Sequence, residues 1–176
     1  MLLMIMKIID NFLPDEDYDS LVHHIVGCRR FPWNYNWYVT SQEDENDNRN
    51  NWYLTNLLYA TDAQPPHTLL HVRPEFDPID EFVMPHMKID KLLRVKANMY
   101  PSTDKIFEHA PHVDYDYSVK GAILSLNTCD GFTRLEDGTK VDSVANRMLF
   151  FDSSRPHNSS TTTNVQTRIN ININYL

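Results

Sequence analysis

Residues 168–174 read Arg-Ile-Asn-Ile-Asn-Ile-Asn, a strict two-residue alternation that an extended strand sorts into two faces. In a strand over 165–174, Ile169, Ile171 and Ile173 share one side, and Arg168, Asn170, Asn172 and Asn174 the other. A strand with one polar face is ordinarily half-solvated. The other possibility is that the arginine turns inward as the one long cation near a pocket. This strand ends a series that begins at residue 91, with runs at 92–100, 111–117, 120–127, 132–136, 139–144 and 147–152. Asp137-Gly138 between two alternating runs is a tight-hairpin signal. Short strands at this spacing predict a sandwich or barrel of the jelly-roll kind.

The N-terminal half has a different character. Leu2 to Ile9 reads as a strand, and Asp10-Asn11-Phe12-Leu13-Pro14 as the start of a helix. Proline suits the first turn, where its missing N–H needs no partner, and Asp15, Glu16 and Asp17 suit the positive end of the helix dipole. Leu21, Val22, Ile25 and Val26 follow at helical spacing, with Gly27 as a stop. Residues 31–40 and 52–59 read as aromatic strands flanking a polar loop over 41–51. A second helix is predicted over 79–89, kinked or ended by Pro85. The expectation is one α+β domain over 1–176. Residues 1–90 give supporting helices and a lid region, and 91–176 a double-stranded β-helix (jelly roll).

Charge narrows the partners. The formal net charge is −8, and the clearest charge run, Glu43-Asp44-Glu45 with Asp47 after it, is acidic. This argues against nucleic acid as a partner. Cys28 and Cys129 lie far apart, have no neighbours at metal-ligand spacing and read as reduced. The apolar start Met1 to Met6 has no basic segment before it, and acidic residues from Asp10 on stand where a cleavage site belongs. It is far short of the roughly 18 apolar residues of a membrane span. A soluble, cytoplasmic protein without a membrane partner is expected.

His112-Val113-Asp114 sets an imidazole and a carboxylate two residues apart, on one face if the segment is a strand. About one such pair arises by chance in a chain with eight histidines, so alone it reads first as a surface pair. His157, 43 residues beyond Asp114 and just past the apolar run Met148-Leu149-Phe150-Phe151, changes the weighing. Two histidines and one carboxylate on one face of an octahedron leave three positions open, the facial triad of non-haem iron sites. A structural zinc site closes all four positions and favours cysteines. Arg168 follows 11 residues after His157 and brings a planar fork suited to a carboxylate.

His-x-Asp, a distant His and an Arg ten or eleven residues later resemble the 2-oxoglutarate/Fe(II)-dependent dioxygenases, more narrowly their prolyl-4-hydroxylase-like branch of short bacterial and phage type. The likeness is best over Val95–Asn174. It includes Asn98-Met99-Tyr100-Pro101, Leu126-Asn127, Asp130-Gly131-Phe132-Thr133 and Asn146 to Phe151, and Ile9 to Leu13 is similar to how such domains begin. The resemblance implies Fe(II), the cosubstrate 2-oxoglutarate and O2. It also implies His112, Asp114 and His157 as iron ligands and catalytic residues, Arg168 on the distal carboxylate of 2-oxoglutarate, Tyr100 donating to that cosubstrate, and Asn172 assisting it. Ser125 departs from the pattern, where the branch often has tyrosine or threonine. The implied reaction is hydroxylation of a C–H bond, with a peptidyl prolyl residue the family's usual target. A free amino acid or other small metabolite is the alternative. A cupin-like metal-binding module and a nucleic-acid demethylase are weaker readings, opposed by Arg168 and by the acidic balance.

Other residues say less. His23, His24, His67, His71 and His86 read as surface or packing side chains, and His109 as a rim residue that could reach the cosubstrate. Trp33, Tyr35, Trp37, Tyr38, Trp52 and Tyr53 read as packing, or as part of a lid over the site. Lys120 and Arg147 are the other cations that could hold a diacid.

Overall fold

The structure is a computed structural model that describes residues 6–40, 51–61 and 70–176. The expected loop over 41–51 (Asn51 apart), His67 and the first residues of the expected N-terminal strand lie outside them. The strands are β1 (Lys7–Ile9), β2 (Asn34–Asn36), β3 (Tyr53–Thr61), β4 (Leu70–Val72), β5 (Leu92–Pro101), β6 (Lys120–Ser125), β7 (Phe132–Leu135), β8 (Lys140–Asp142), β9 (Met148–Asp152), β10 (His157–Ser159) and β11 (Thr167–Tyr175). The helices are α1 (Asp15–Val22) and α2 (Asp77–Phe82).

Among the described residues, eight strands form one antiparallel sheet in the order β1-β9-β6-β11-β5-β3-β2, with β4 on β3, and three form a smaller sheet, β10-β7-β8. The non-consecutive neighbours from β1 through β3 in the large sheet are the mark of a jelly roll. The alternating segment becomes β11 at the centre of the large sheet, paired to β5 and β6. Ile169, Ile171 and Ile173 bury on the sheet's outer side against Leu21, Ile25, Ile79 and Val83, which α1, α2 and their flanking turns bring over that side. A half-solvated strand is therefore excluded. Arg168, Asn170, Asn172 and Asn174 are buried too, on the side that faces the small sheet.

Four elements differ from expectation. After α1 the chain makes a π-helical turn over His23–Gly27. The expected helix over 79–89 is α2 between two 3-10 turns, Pro74–Phe76 and Met84–His86, with Pro85 in the second. Pro85 cannot donate the N–H that would continue α2. The expected strand over 111–117 reduces to one bridge, His112 with His157. Pro111 has no N–H to give, and the Asp114 N–H goes instead to the Ser153 carbonyl at 2.9 Å. The expected strand over 31–40 shortens to β2. The hairpin holds: Gly138 sits at φ +86°, between β7 and β8. No helix among the described residues is long and apolar enough to cross a membrane.

Candidate metal centre and diacid pocket

His112 and His157 meet as a hydrogen-bonded antiparallel pair, each N–H on the other's carbonyl at 2.9 and 3.0 Å. Their ring centroids are 4.6 Å apart. Asp114 enters from the turn beyond His112, with one carboxylate oxygen 3.9 Å from His112 Nε2 and the other 3.9 Å from His157 Nε2. One ligand atom from each of the three lies within 4.8 Å of the others. His157 Nδ1 lies 3.0 Å from the Arg155 carbonyl; a carbonyl only accepts, so Nδ1 holds the hydrogen and Nε2 keeps its lone pair.

Burial pushes the His112 imidazole down to about 4, with the neighbouring His157 adding to the effect. Burial likewise lowers His157. Burial alone would raise the Asp114 carboxyl. Arg94, His157 and the Asn174 amide outweigh it and hold the group well below the ordinary carboxylate range. At neutral pH the site therefore offers two uncharged imidazoles and a carboxylate, three electron-pair donors converging with no proton between them. That donor set fits a divalent cation.

The carboxylate is held from behind. Arg94 Nη2 stands 2.6 Å from Asp114 Oδ1, while Asn172 and Asn174 donate to Oδ2 at 3.2 and 2.9 Å. Arg94 Nε in turn donates to Asn174 Oδ1 at 2.9 Å. Such outer partners fix the orientation of a ligand. Asn172 thus lies against Asp114, whereas the resemblance implied a role on the cosubstrate.

Arg168 is 1% exposed and lies two alternation steps along β11 from Asn172. Its Nε donates to Ser143 Oγ at 2.6 Å, Nη1 to the Ser160 carbonyl at 3.3 Å and Nη2 to Thr133 Oγ1 at 3.0 Å. Its guanidinium carbon sits 5.2 Å from the centre of the Tyr100 ring, directly across the ladder. All these partners are neutral. Among the described residues no carboxylate pairs with this buried cation, and one N–H on each terminal nitrogen is left over, the two needed for a fork. Thr133 and Tyr100 line the same cavity as His112 and His157.

The remaining sequence candidates fall outside this cavity. Lys120 is exposed over the Tyr175 ring and Arg147 pairs with Asp10, and neither lines the cavity. His109 is buried between Tyr100 and Phe107 with Nδ1 on Ser159. His24 bonds the Ser20 carbonyl, His71 the Leu57 carbonyl, and His86 faces Asp17. Ser125 is buried opposite Asn170 in the β6–β11 ladder. Of the aromatic set, Tyr53 alone lines the cavity. Cys28 and Cys129 are free thiols. Two charged residues of the site escaped the sequence reading, Lys96 in the cavity lining and Arg94 on Asp114. Arg94 and Lys96 alternate with Leu93, Val95 and Ala97 as the asparagines of β11 alternate with isoleucines, and that pattern was the available signal.

This arrangement is a double-stranded β-helix with a His-Asp-His cluster and a buried arginine on its inner side. Among solved structures it is similar to a prolyl hydroxylase from Trichoplax adhaerens, in complex with a hypoxia inducible factor oxygen degradation domain peptide fragment (TM-score 0.61, 16% identity, 97% of this chain and 83% of that one). It is also similar to a prolyl-4-hydroxylase from Pseudomonas putida (TM-score 0.57, 14% identity, 97% and 91%). A non-haem α-ketoglutarate-dependent epimerase from nogalamycin biosynthesis is alike as well (TM-score 0.64, 12% identity, 97% and 77%). Hydroxylases and an epimerase share this fold, so fold alone leaves the reaction open. No family model and no curated protein matches the sequence.

Proposed function

We propose that this chain is an Fe(II)- and 2-oxoglutarate-dependent dioxygenase that hydroxylates a substrate C–H bond. His112, Asp114 and His157 hold the iron and Arg168 takes the distal carboxylate of 2-oxoglutarate. The observation that carries the reading is Arg168: a buried guanidinium with only neutral partners, against Tyr100 and Thr133, which line the same cavity as His112 and His157. A structural or cupin-like metal site has no use for such a cation, whereas a diacid spanning from metal to fork satisfies it.

When bound, iron with the keto acid and O2 would supply oxidative decarboxylation, one oxygen atom of O2 going to succinate and the other to the substrate, with release of CO2. The chain's own residues do the positioning. Arg94, Asn172 and Asn174 orient the Asp114 carboxylate, and the Arg155 carbonyl sets the His157 tautomer. Tyr100, buried in the cavity lining, packs against the Arg168 guanidinium. The prolyl hydroxylases among the similar structures support a peptidyl prolyl target. Lys96, which lines the cavity, favours a small carboxylate metabolite instead. The test is anaerobic titration with Fe(II) and then 2-oxoglutarate, followed by succinate release on admitting O2. Absence of 2-oxoglutarate binding by the iron-loaded protein overturns the reading.

A further inference from the structure

The inner faces of β5 and β11 form a ladder of four polar rungs: Tyr100 with Arg168, Asn98 with Asn170, Lys96 with Asn172, and Arg94 with Asn174. At about 3.4 Å per residue, Lys96 stands roughly 13 Å along the strands from the Arg168 rung. It is therefore at the end of the chamber where Asn172 and Asn174 grip Asp114, and it lines the cavity together with His112 and His157.

The three cations of the ladder are not equivalent. Arg94 is matched by Asp114. Arg168 awaits the distal carboxylate of the cosubstrate, whose other carboxylate has the metal. Lys96 has neither kind of partner among the described residues; its ammonium lies 5.5 Å from the Tyr53 ring centre, a weak contact for a desolvated charge. With a divalent metal and a dianionic cosubstrate in place, Asp114, Arg94, Lys96 and Arg168 leave the chamber net positive. Burial lowers the amine to about 8, so it still carries its proton at neutral pH.

We propose that Lys96 binds a carboxylate of the molecule being oxidised, so that the substrate is a small carboxylic acid and not an internal residue of a peptide. This deepens the dioxygenase reading above and rests on it. The lysine seats the acid beside the metal, opposite in charge and separate from the fork that takes the cosubstrate.

The experiment follows the Lys96 side chain by NMR in protein carrying 13C-labelled lysine. Zn(II) replaces Fe(II), and saturating N-oxalylglycine serves as the non-reacting diacid; the Lys96 signal is the one lost in Lys96→Met. Acetate added to this complex is expected to shift that signal and to move its titration above about 8, while acetamide leaves it in place. Two results overturn the proposal. N-oxalylglycine alone could produce the shift and block acetate, which would make the lysine a cosubstrate contact. Acetate could also move nothing, which returns the peptide as the favoured substrate. Calorimetry of N-oxalylglycine on the same zinc protein reads the parent hypothesis separately. If that diacid fails to bind, the dioxygenase reading falls whatever acetate does.

Discussion

His112 and His157 exchange both backbone hydrogen bonds, so two imidazoles 45 residues apart in the chain are set on adjacent backbones before any metal arrives. Asp114 is placed by the same segment, its N–H on Ser153, and both its oxygens already have partners. The three side chains are brought together by the sheet itself.

That arrangement separates the two simplest metal-site variants. His112, with a side chain one-third exposed, should be removable with little loss of stability; His112→Ala is expected to lose Fe(II) while melting close to the wild type. Asp114 is 5% exposed and pairs with Arg94, so Asp114→Ala should lose iron and also strand a partly buried cation, at a cost of about 3–5 kcal/mol. Metal content and thermal melts of the two proteins check this. Full iron occupancy in a folded Asp114→Ala protein would remove the carboxylate from the ligand set.

On the proposed reading, Arg168→Ala removes the fork that takes the diacid. Losing one partner of a desolvated charge pair costs about 2–5 kcal/mol, so the 2-oxoglutarate requirement should rise by roughly two orders of magnitude. Arg168→Lys keeps a charge but not the two parallel N–H groups, and should recover only part of the loss. Succinate formation against 2-oxoglutarate concentration measures both. An unchanged requirement in Arg168→Ala moves the diacid to Lys96, the other cavity cation without a carboxylate among the described residues.

The sequence carried the fold class and named the residues that cluster at His112, Asp114 and His157, because both rest on short-range patterns. Two-residue alternation identified β11, and His112, Asp114, His157 and Arg168 could be named from type and spacing. What it could not supply is register. Nothing local told whether the asparagines of β11 face water or the chamber; that depends on β5 and β6 pairing on either side and on helices covering the isoleucines. Arg94 and Lys96 were missed for the same reason, since charged residues on a strand are usually solvated. The strand expected over 111–117 failed because Pro111 breaks the ladder and leaves His112 a single bridge.

Gly131 offers a test of the diacid pocket that touches neither metal nor charge. A Cβ built there would lie 2.6 Å from Arg168 Cδ and 2.7 Å from the Thr161 carbonyl oxygen, closer than packed atoms approach. The glycine thus makes room for the arginine to lie inward. Gly131→Ala is expected to displace Arg168, raise the 2-oxoglutarate requirement by about tenfold or more, and lower stability by about 1–3 kcal/mol. Iron binding should be retained, since the displaced group lies at the far end of the chamber. If the alanine variant binds 2-oxoglutarate as the wild type does, the inward placement of Arg168 is not what the cosubstrate needs.

Acidification gives the last test, and its sign follows from the lowered imidazoles. In the unfolded chain a histidine titrates near 6.5, whereas folding pushes His112 down to about 4 and lowers His157 as well. Between those limits the unfolded chain binds protons that the metal-free folded protein does not. The contribution is therefore fully present above pH 6.5 and is lost as pH falls toward 4. The lowered carboxyls of Asp114, Asp130 and Glu108 have unfolded values of 4.5 or below and act mainly beneath that window. Melting temperature should thus fall from pH 6.5 to 5 in the metal-free wild type, and fall less steeply in His112→Asn, which has one fewer imidazole to keep neutral. Fe(II) should add stability that shrinks over the same range, because protons compete for the ligand nitrogens. Equal slopes in the two metal-free proteins would mean that His112 is already protonated in the folded state, and so not poised to bind a cation.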